Sequence, residues 1–175
     1  MTTISKKICL IGDFSVGKTS LIRRFVDRQF SDQYLSTVGV KISRKAVQLE
    51  EQGTNEPTKV QLLIWDIEGQ TKFKAIAPTY LQGAAGVIIV CDVTRQETID
   101  NIKQHIELFK SVNPQGVSIV AFNKTDLLEE SKQEKLLKEN NLQDFPQVIA
   151  TYTTSAKTGK DVDDMFQKLS SNLVG

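Results

Sequence analysis

The chain has 175 residues, 39% of them hydrophobic and 25% charged, with a formal net charge of +1. This is the length of one ordinary domain, enough to bury a real core without metal or disulfide staples. The near-zero charge gives no bulk field to favour nucleic acid or an anionic membrane, and no run approaches the roughly 18 apolar residues of a membrane span. Cys9 and Cys91 both lie in apolar runs, form no metal spacing or disulfide framework, and read as small buried hydrophobes. The start, MTTISKK, carries no signal peptide, and Thr2 rules out myristoylation. The end, SSNLVG, has no prenylation box, so a soluble protein of a reducing compartment is expected.

In chain order, Lys7–Ile11 reads as a first strand. IGDFSVGKTSL follows, with Gly12 and Gly17-Lys18-Thr19 matching G-x-x-x-x-G-K-[ST]. Thr19–Asp27 reads as a helix, so the motif stands between strand and helix, the context a phosphate-wrapping loop needs. There a nest of backbone N–H groups, from about Ser15 and Val16 to Ser20, meets a helix amino terminus that favours an anion. Gly17 lets the backbone approach, Lys18 reaches the outer phosphates, and the Thr19 hydroxyl is a ligand for Mg²⁺.

Ile42–Leu49 and Val60–Trp65 are strand-like and flank EEQGTNEP, Glu50–Pro57, which reads as a hairpin loop. IWDIEGQ closes the third strand. Asp66 is placed to hold or orient the Mg²⁺ shell, Gly69 to set an N–H against a terminal phosphate, and Gln70 to orient an attacking water. Val87–Cys91 and Val117–Phe122 are continuous apolar runs, as in strands buried on both faces of a parallel sheet. Between them Ile99, Ile102, Ile106 and Phe109 keep a helical rhythm.

FNKTDL comes after the fifth strand. Asp126, two residues past Lys124, can accept two hydrogen bonds from an amino-imino edge, which guanine presents and adenine does not. With Asn123 and Lys124 at a strand end, this selects GTP over ATP. Glu129–Asn140 is a charged helix whose apolar contact is Leu136 and Leu137. Val148–Thr153 is the sixth strand, and Ser155, Ala156 and Lys157 after it can close over the same base. Val162, Met165, Phe166, Leu169 and Leu173 mark a last helix, with Asp161 placed to favour its start by dipole or cap. Strand–helix alternation implies a three-layer α/β fold, and the hairpin one antiparallel edge strand.

Four polar loops at four strand ends, in this order, resemble the small GTPase superfamily over essentially the whole chain. The likeness is greatest to the Ras/Rab group, with TVGV and WDIEGQ leaning toward Rab. The resemblance implies a P-loop NTPase fold in one G domain over residues 1–175, with a six-stranded, mostly parallel sheet and about five helices. It implies a molecular switch that binds GTP or GDP with Mg²⁺ and slowly hydrolyses GTP, in a regulatory, signalling or trafficking role. It also implies that Thr37, in YLSTVGV, joins the Mg²⁺ when GTP is bound and that Phe30 packs on the guanine ring. Lys18 and Gln70 become the catalytic pair. Thr19, Thr37 and Asp66 become the metal set. Effector, exchange factor and GTPase-activating protein would dock through about Gln33–Ile42 and Ile67–Tyr80. No nucleic-acid partner is expected, and the protein is expected to be a cytoplasmic monomer.

Four departures from the family pattern stand out. Phe14 falls where relatives have a small residue, facing the space through which a partner's arginine finger would reach. It either obstructs that finger or packs on a switch loop. Ser15 replaces a common Gly, at an expected small cost. Glu68 stands where relatives mostly have Ala and points either to solvent or into the chemistry. The chain stops after its last helix, without the tail of prenylated cysteines, so membranes would be reached through partners or through a tail absent from this chain. His105, mid-helix between apolar positions, is expected at the surface or its boundary. Trp65 is expected near the switch surface, and EESKQEK as a solvated helix face. The rival reading is a non-hydrolysing, constitutively GTP-bound interaction module, against which Thr37 and Gln70 argue. A metabolic P-loop kinase is a distant third.

Overall fold

The computed structural model describes residues 2–30, 40–49, 57–67 and 78–174. Six strands form one sheet in the order β2-β3-β1-β4-β5-β6. They are β1 (Thr2–Gly12), β2 (Val40–Leu49), β3 (Thr58–Ile67), β4 (Gly86–Asp92), β5 (Val117–Asn123) and β6 (Val148–Thr153). β2 runs antiparallel to β3, from Val40 opposite Ile67 to Leu49 opposite Thr58, and every other pairing is parallel. The expected antiparallel edge strand is therefore present. Residues 50–56 of the expected hairpin loop lie outside the described residues.

Five helices of more than one turn are described: α1 (Lys18–Asp27), α3 (Gln96–Asp100), α4 (Ile102–Val112), α5 (Glu130–Glu139) and α6 (Val162–Asn172). A single turn, α2 (Pro78–Leu81), precedes β4. The period-2 alternation of the strands divides the core into two layers. Ile8, Leu10, Ile88 and Val90 meet α1 and α6 on one face. Cys9, Ile11, Val87, Ile89 and Cys91 meet α3 and α4 on the other. Both cysteines are buried as expected, and burial pushes the Cys9 thiol up to about 12 against the opposing charge of Lys7. Phe25 of α1 stacks on Phe166 of α6 with ring centroids 4.0 Å apart.

Three local expectations are corrected. The apolar rhythm from Ile99 to Phe109 is carried by two helices, which meet at Asn101. Leu136 alone of its pair packs on the core, whereas Leu137 is exposed. Asp161 precedes α6 in the left-handed region, φ 57°, and makes no side-chain cap, so the capping half of that expectation alone is corrected; Asp163 and Asp164 add an acidic first turn.

Candidate functional site

The register brings the carboxyl ends of the parallel strands to one edge. Asp66 lies opposite Leu10, Gly12 opposite Val90, Asp92 opposite Asn123, and Phe122 opposite Thr153. Among the described residues, the loops after β1, β5 and β6 that carry predicted site residues leave from that edge, where ligands of open α/β sheets bind.

Residues 12–17 turn from β1 into α1. Val16 is buried, so its side chain serves the core and its backbone serves the loop. A Cβ on Gly12 would collide with the Val90 carbonyl, and one on Gly17, at φ 103°, with the Asn123 amide. Every carbonyl of this loop is engaged. Lys18 Nζ donates to Gly12 O at 3.2 Å and to Asp13 O at 3.0 Å. Arg95 Nη1 holds Phe14 O at 2.8 Å, Lys124 Nζ holds Ser15 O at 3.0 Å, and Asn123 Nδ2 holds Val16 O at 3.0 Å. Leu21 N–H takes Gly17 O in the first turn of α1. In a trans peptide the N–H points away from the C=O before it. Tying the carbonyls of residues 14–16 to donors from other loops therefore turns the N–H groups of residues 15–17 the opposite way, as a nest requires. α1 has no acidic residue in its own first turn, so no carboxylate of the helix itself offsets its positive dipole end.

Thr19 Oγ1 donates to Asp66 Oδ2 at 2.5 Å, and Asp66 is only 1% exposed. A hydroxyl and a carboxylate side by side at the start of α1 form a hard-oxygen pair that suits Mg²⁺. Ser20 follows in the same turn. Thr37, Glu68, Gly69 and Gln70 lie outside the described residues, as do most of the two expected switch segments.

On the other side, Asn123 is buried, and its Oδ1 accepts from Thr154 Oγ1 at 3.0 Å. Ser155 Oγ donates to Asp126 Oδ1 at 2.7 Å, which orients an otherwise exposed carboxylate. Ala156 O accepts from Arg24 Nε at 2.7 Å, and Lys157 O from the same guanidinium. The predicted base loops are thus bolted to the phosphate loop and to α1. Phe30 is exposed three residues past α1, and no hydrogen bond or ring contact ties it to those loops among the described residues.

The expectation for His105 is overturned. It is 5% exposed, and its Nε2 lies 2.9 Å from Asp13 Oδ1. Sequence reading also missed Arg24, Arg95 and Asp92. Asp92 is buried at the end of β4, with Lys124 Nζ at 2.9 Å and Thr94 donating from both N–H and Oγ1. Burial alone would raise its carboxyl, but the hydrogen bonds from Thr94 and Lys124 outweigh it and hold the group below its ordinary value. Its position was a usable signal, because it ends a strand just as Asp66 does. Phe14 is 38% exposed.

Residues 7–174 match the Ras family. The chain is 33% identical to Ras-related protein Rab-13 of Bos taurus, covering 96% of this chain and 79% of the relative. It is 34% identical to GTP-binding protein ypt5 of Schizosaccharomyces pombe, covering 99% and 80%. It is also 34% identical to Ras-related protein Rab-22A of Homo sapiens, covering 95% and 82%.

Proposed function

The chain belongs to the Ras family, and from that premise we propose that it is a guanine-nucleotide switch. In this reading one G domain over residues 1–175 binds GTP or GDP with Mg²⁺ and hydrolyses GTP slowly, in a regulatory or trafficking role. What supports it most directly is the engagement of every carbonyl from Gly12 to Gly17, three of them by Arg95, Asn123 and Lys124. The same two residues that begin the predicted base motif shape the phosphate loop, so the two halves of a nucleotide site are one unit.

The roles follow from chemistry. Lys18 and the loop N–H groups neutralise phosphate oxygens, and Asp126, aimed by Ser155, reads the guanine edge. Phe30 covers the ring, with Ala156 and Lys157 beside it. Thr19, Thr37 and Asp66 would hold Mg²⁺, which when bound offsets the charge on the phosphates. Gln70 aligns the water that displaces GDP from the γ-phosphoryl group, a reaction in which the protein supplies mainly position and charge.

Partners dock on an apolar patch. Ile42, 50% exposed, lies directly opposite Trp65 on the antiparallel pair, and the two share a face. Lys7 Nζ sits 3.7 Å from the Trp65 ring centroid, and exposed Tyr80 follows nearby, its carbonyl against Cys9 Sγ. This patch joins the two segments assigned to effector, exchange factor and GTPase-activating protein. No described helix is long and apolar enough to cross a membrane, and recruitment to membranes falls to partners or to a tail absent from this chain.

Purified protein in single turnover should convert bound GTP to GDP over minutes to hours, bind ATP far more weakly, and lose turnover on Gln70→Leu. Failure to retain guanine nucleotide would overturn the reading. The exposed ring of Phe14 favours a second reading, a module that stays GTP-bound, and no GDP after hours would support it. If Phe14 obstructs an arginine finger, Phe14→Ser should recover a large part of the roughly 10³–10⁵-fold stimulation such a finger supplies. An unchanged stimulated rate would sink the obstruction.

A further inference from the structure

We infer that His105 is a positioning residue for nucleotide retention, acting through Asp13 on the phosphate loop; this rests on the nucleotide reading above. Asn101 and His105 stand four residues apart at the start of α4, so their side chains share one helix face. Both converge on a single carboxylate. His105 Nε2 lies 2.9 Å from Asp13 Oδ1, and Asn101 Nδ2 donates to Asp13 Oδ2 at 2.7 Å. The main-chain carbonyl of that same Asp13 accepts from Lys18 Nζ at 3.0 Å. A continuous line of contacts therefore runs from α4 through Asp13 to the ammonium assigned to the phosphates.

The physical need for the clamp is electrostatic. Asp13 puts a negative charge in a loop built to hold anions. Burial would raise its carboxyl, yet the hydrogen bonds from His105 and Asn101, with the charges of His105 and Lys18, hold it below its ordinary value. The carboxylate is thus kept ionised but turned toward α4, with both oxygens engaged. Without the imidazole donor, one oxygen of a largely buried charge loses its partner and the side chain is free to turn, bringing like charge toward the phosphates. A mere packing role for His105 predicts dependence on ring volume; the clamp predicts dependence on a donor at the Nε2 position.

The test loads the full chain with a fluorescent GDP analogue and Mg²⁺ and follows release into excess GDP. His105→Phe keeps the ring and removes the donor, and should release about tenfold faster, the scale of one lost charge-assisted hydrogen bond. His105→Gln, whose Nε2 reaches equally far, should stay within about twofold of the parent. In an Asp13→Asn background His105→Phe should add little, because the charge it controls is gone. Asn101→Ala shortens a half-buried side chain without opening the core and should also speed release, by about threefold. Parent-like release from both His105→Phe and Asn101→Ala, or equal release from His105→Gln and His105→Phe, overturns the inference. A parent chain that retains no guanine nucleotide overturns the underlying reading, and this inference with it, before any variant is made.

Discussion

Ser15 sits in the left-handed region at φ 64°, a conformation that favours glycine. A side chain there costs roughly 1–2 kcal/mol, so the expectation of a small cost concerned only its N–H and missed its backbone. Ser15→Gly should raise stability by about 0.5–1 kcal/mol, after the roughly 0.5–1 kcal/mol that glycine's freedom in the unfolded chain takes back. For a chain of this length that is about 1–4 °C in Tm, read by calorimetry on the nucleotide-free protein. Asp92 carries a pH dependence. Its folded carboxyl lies below its unfolded value, so its contribution is complete above the unfolded pKa, near 4, and fades as pH falls toward the lower folded value. Asp92→Asn should lower stability at neutral pH and flatten the acid limb below about pH 4, measured by denaturant midpoints across pH. His105 shows why single residues misread. Its apolar flanks were visible, but the carboxylate that makes it functional lies 92 positions away.

At the scale of elements, the strands were legible because their code is local. Continuous apolar runs gave β4 and β5 to within a residue or so, and the Gly-rich loop was legible from its spacing. The break between α3 and α4 was not, because Ile99, Ile102, Ile106 and Phe109 stay buried on one face across it. A periodicity preserved through a turn carries no mark of the turn. The helices also differ in how they are held. Phe166 of α6 is fully buried against Phe25, and Phe166→Ala should cost about 3–5 kcal/mol. α5 has no buried residue and is tied instead by Gln133, whose Nε2 donates to the carbonyls of Thr125 and Leu128, both at 2.9 Å. Leu136→Ala should therefore cost only about 1 kcal/mol, and amides of α5 should exchange with solvent well before those of α6. Comparable protection of the two helices would contradict this ordering.

For the whole molecule, the antiparallel edge strand followed from the hairpin and the gathering of loops at one edge from the motifs, since each motif closes a strand, whereas the order of the strands came only with the structure. The carbonyl ties of the phosphate loop did not, because they join residues 81–109 positions apart and no local pattern encodes them. Those ties have a consequence for how the protein is born. The phosphate loop leaves the ribosome early, but Asn123 and Lys124, which set two of its peptides, are made more than 100 residues later. At ordinary rates of synthesis the gap is about 5–20 s. Ribosome-stalled chains of increasing length should therefore acquire GDP analogue binding abruptly, only once β5 and the residues after it have cleared the exit tunnel. Binding by chains that expose only α1 and the first three strands would break this expectation. The loop that carries the most recognisable motif is thus an incomplete receptor for most of its own translation, and the nucleotide arrives as a late partner in folding.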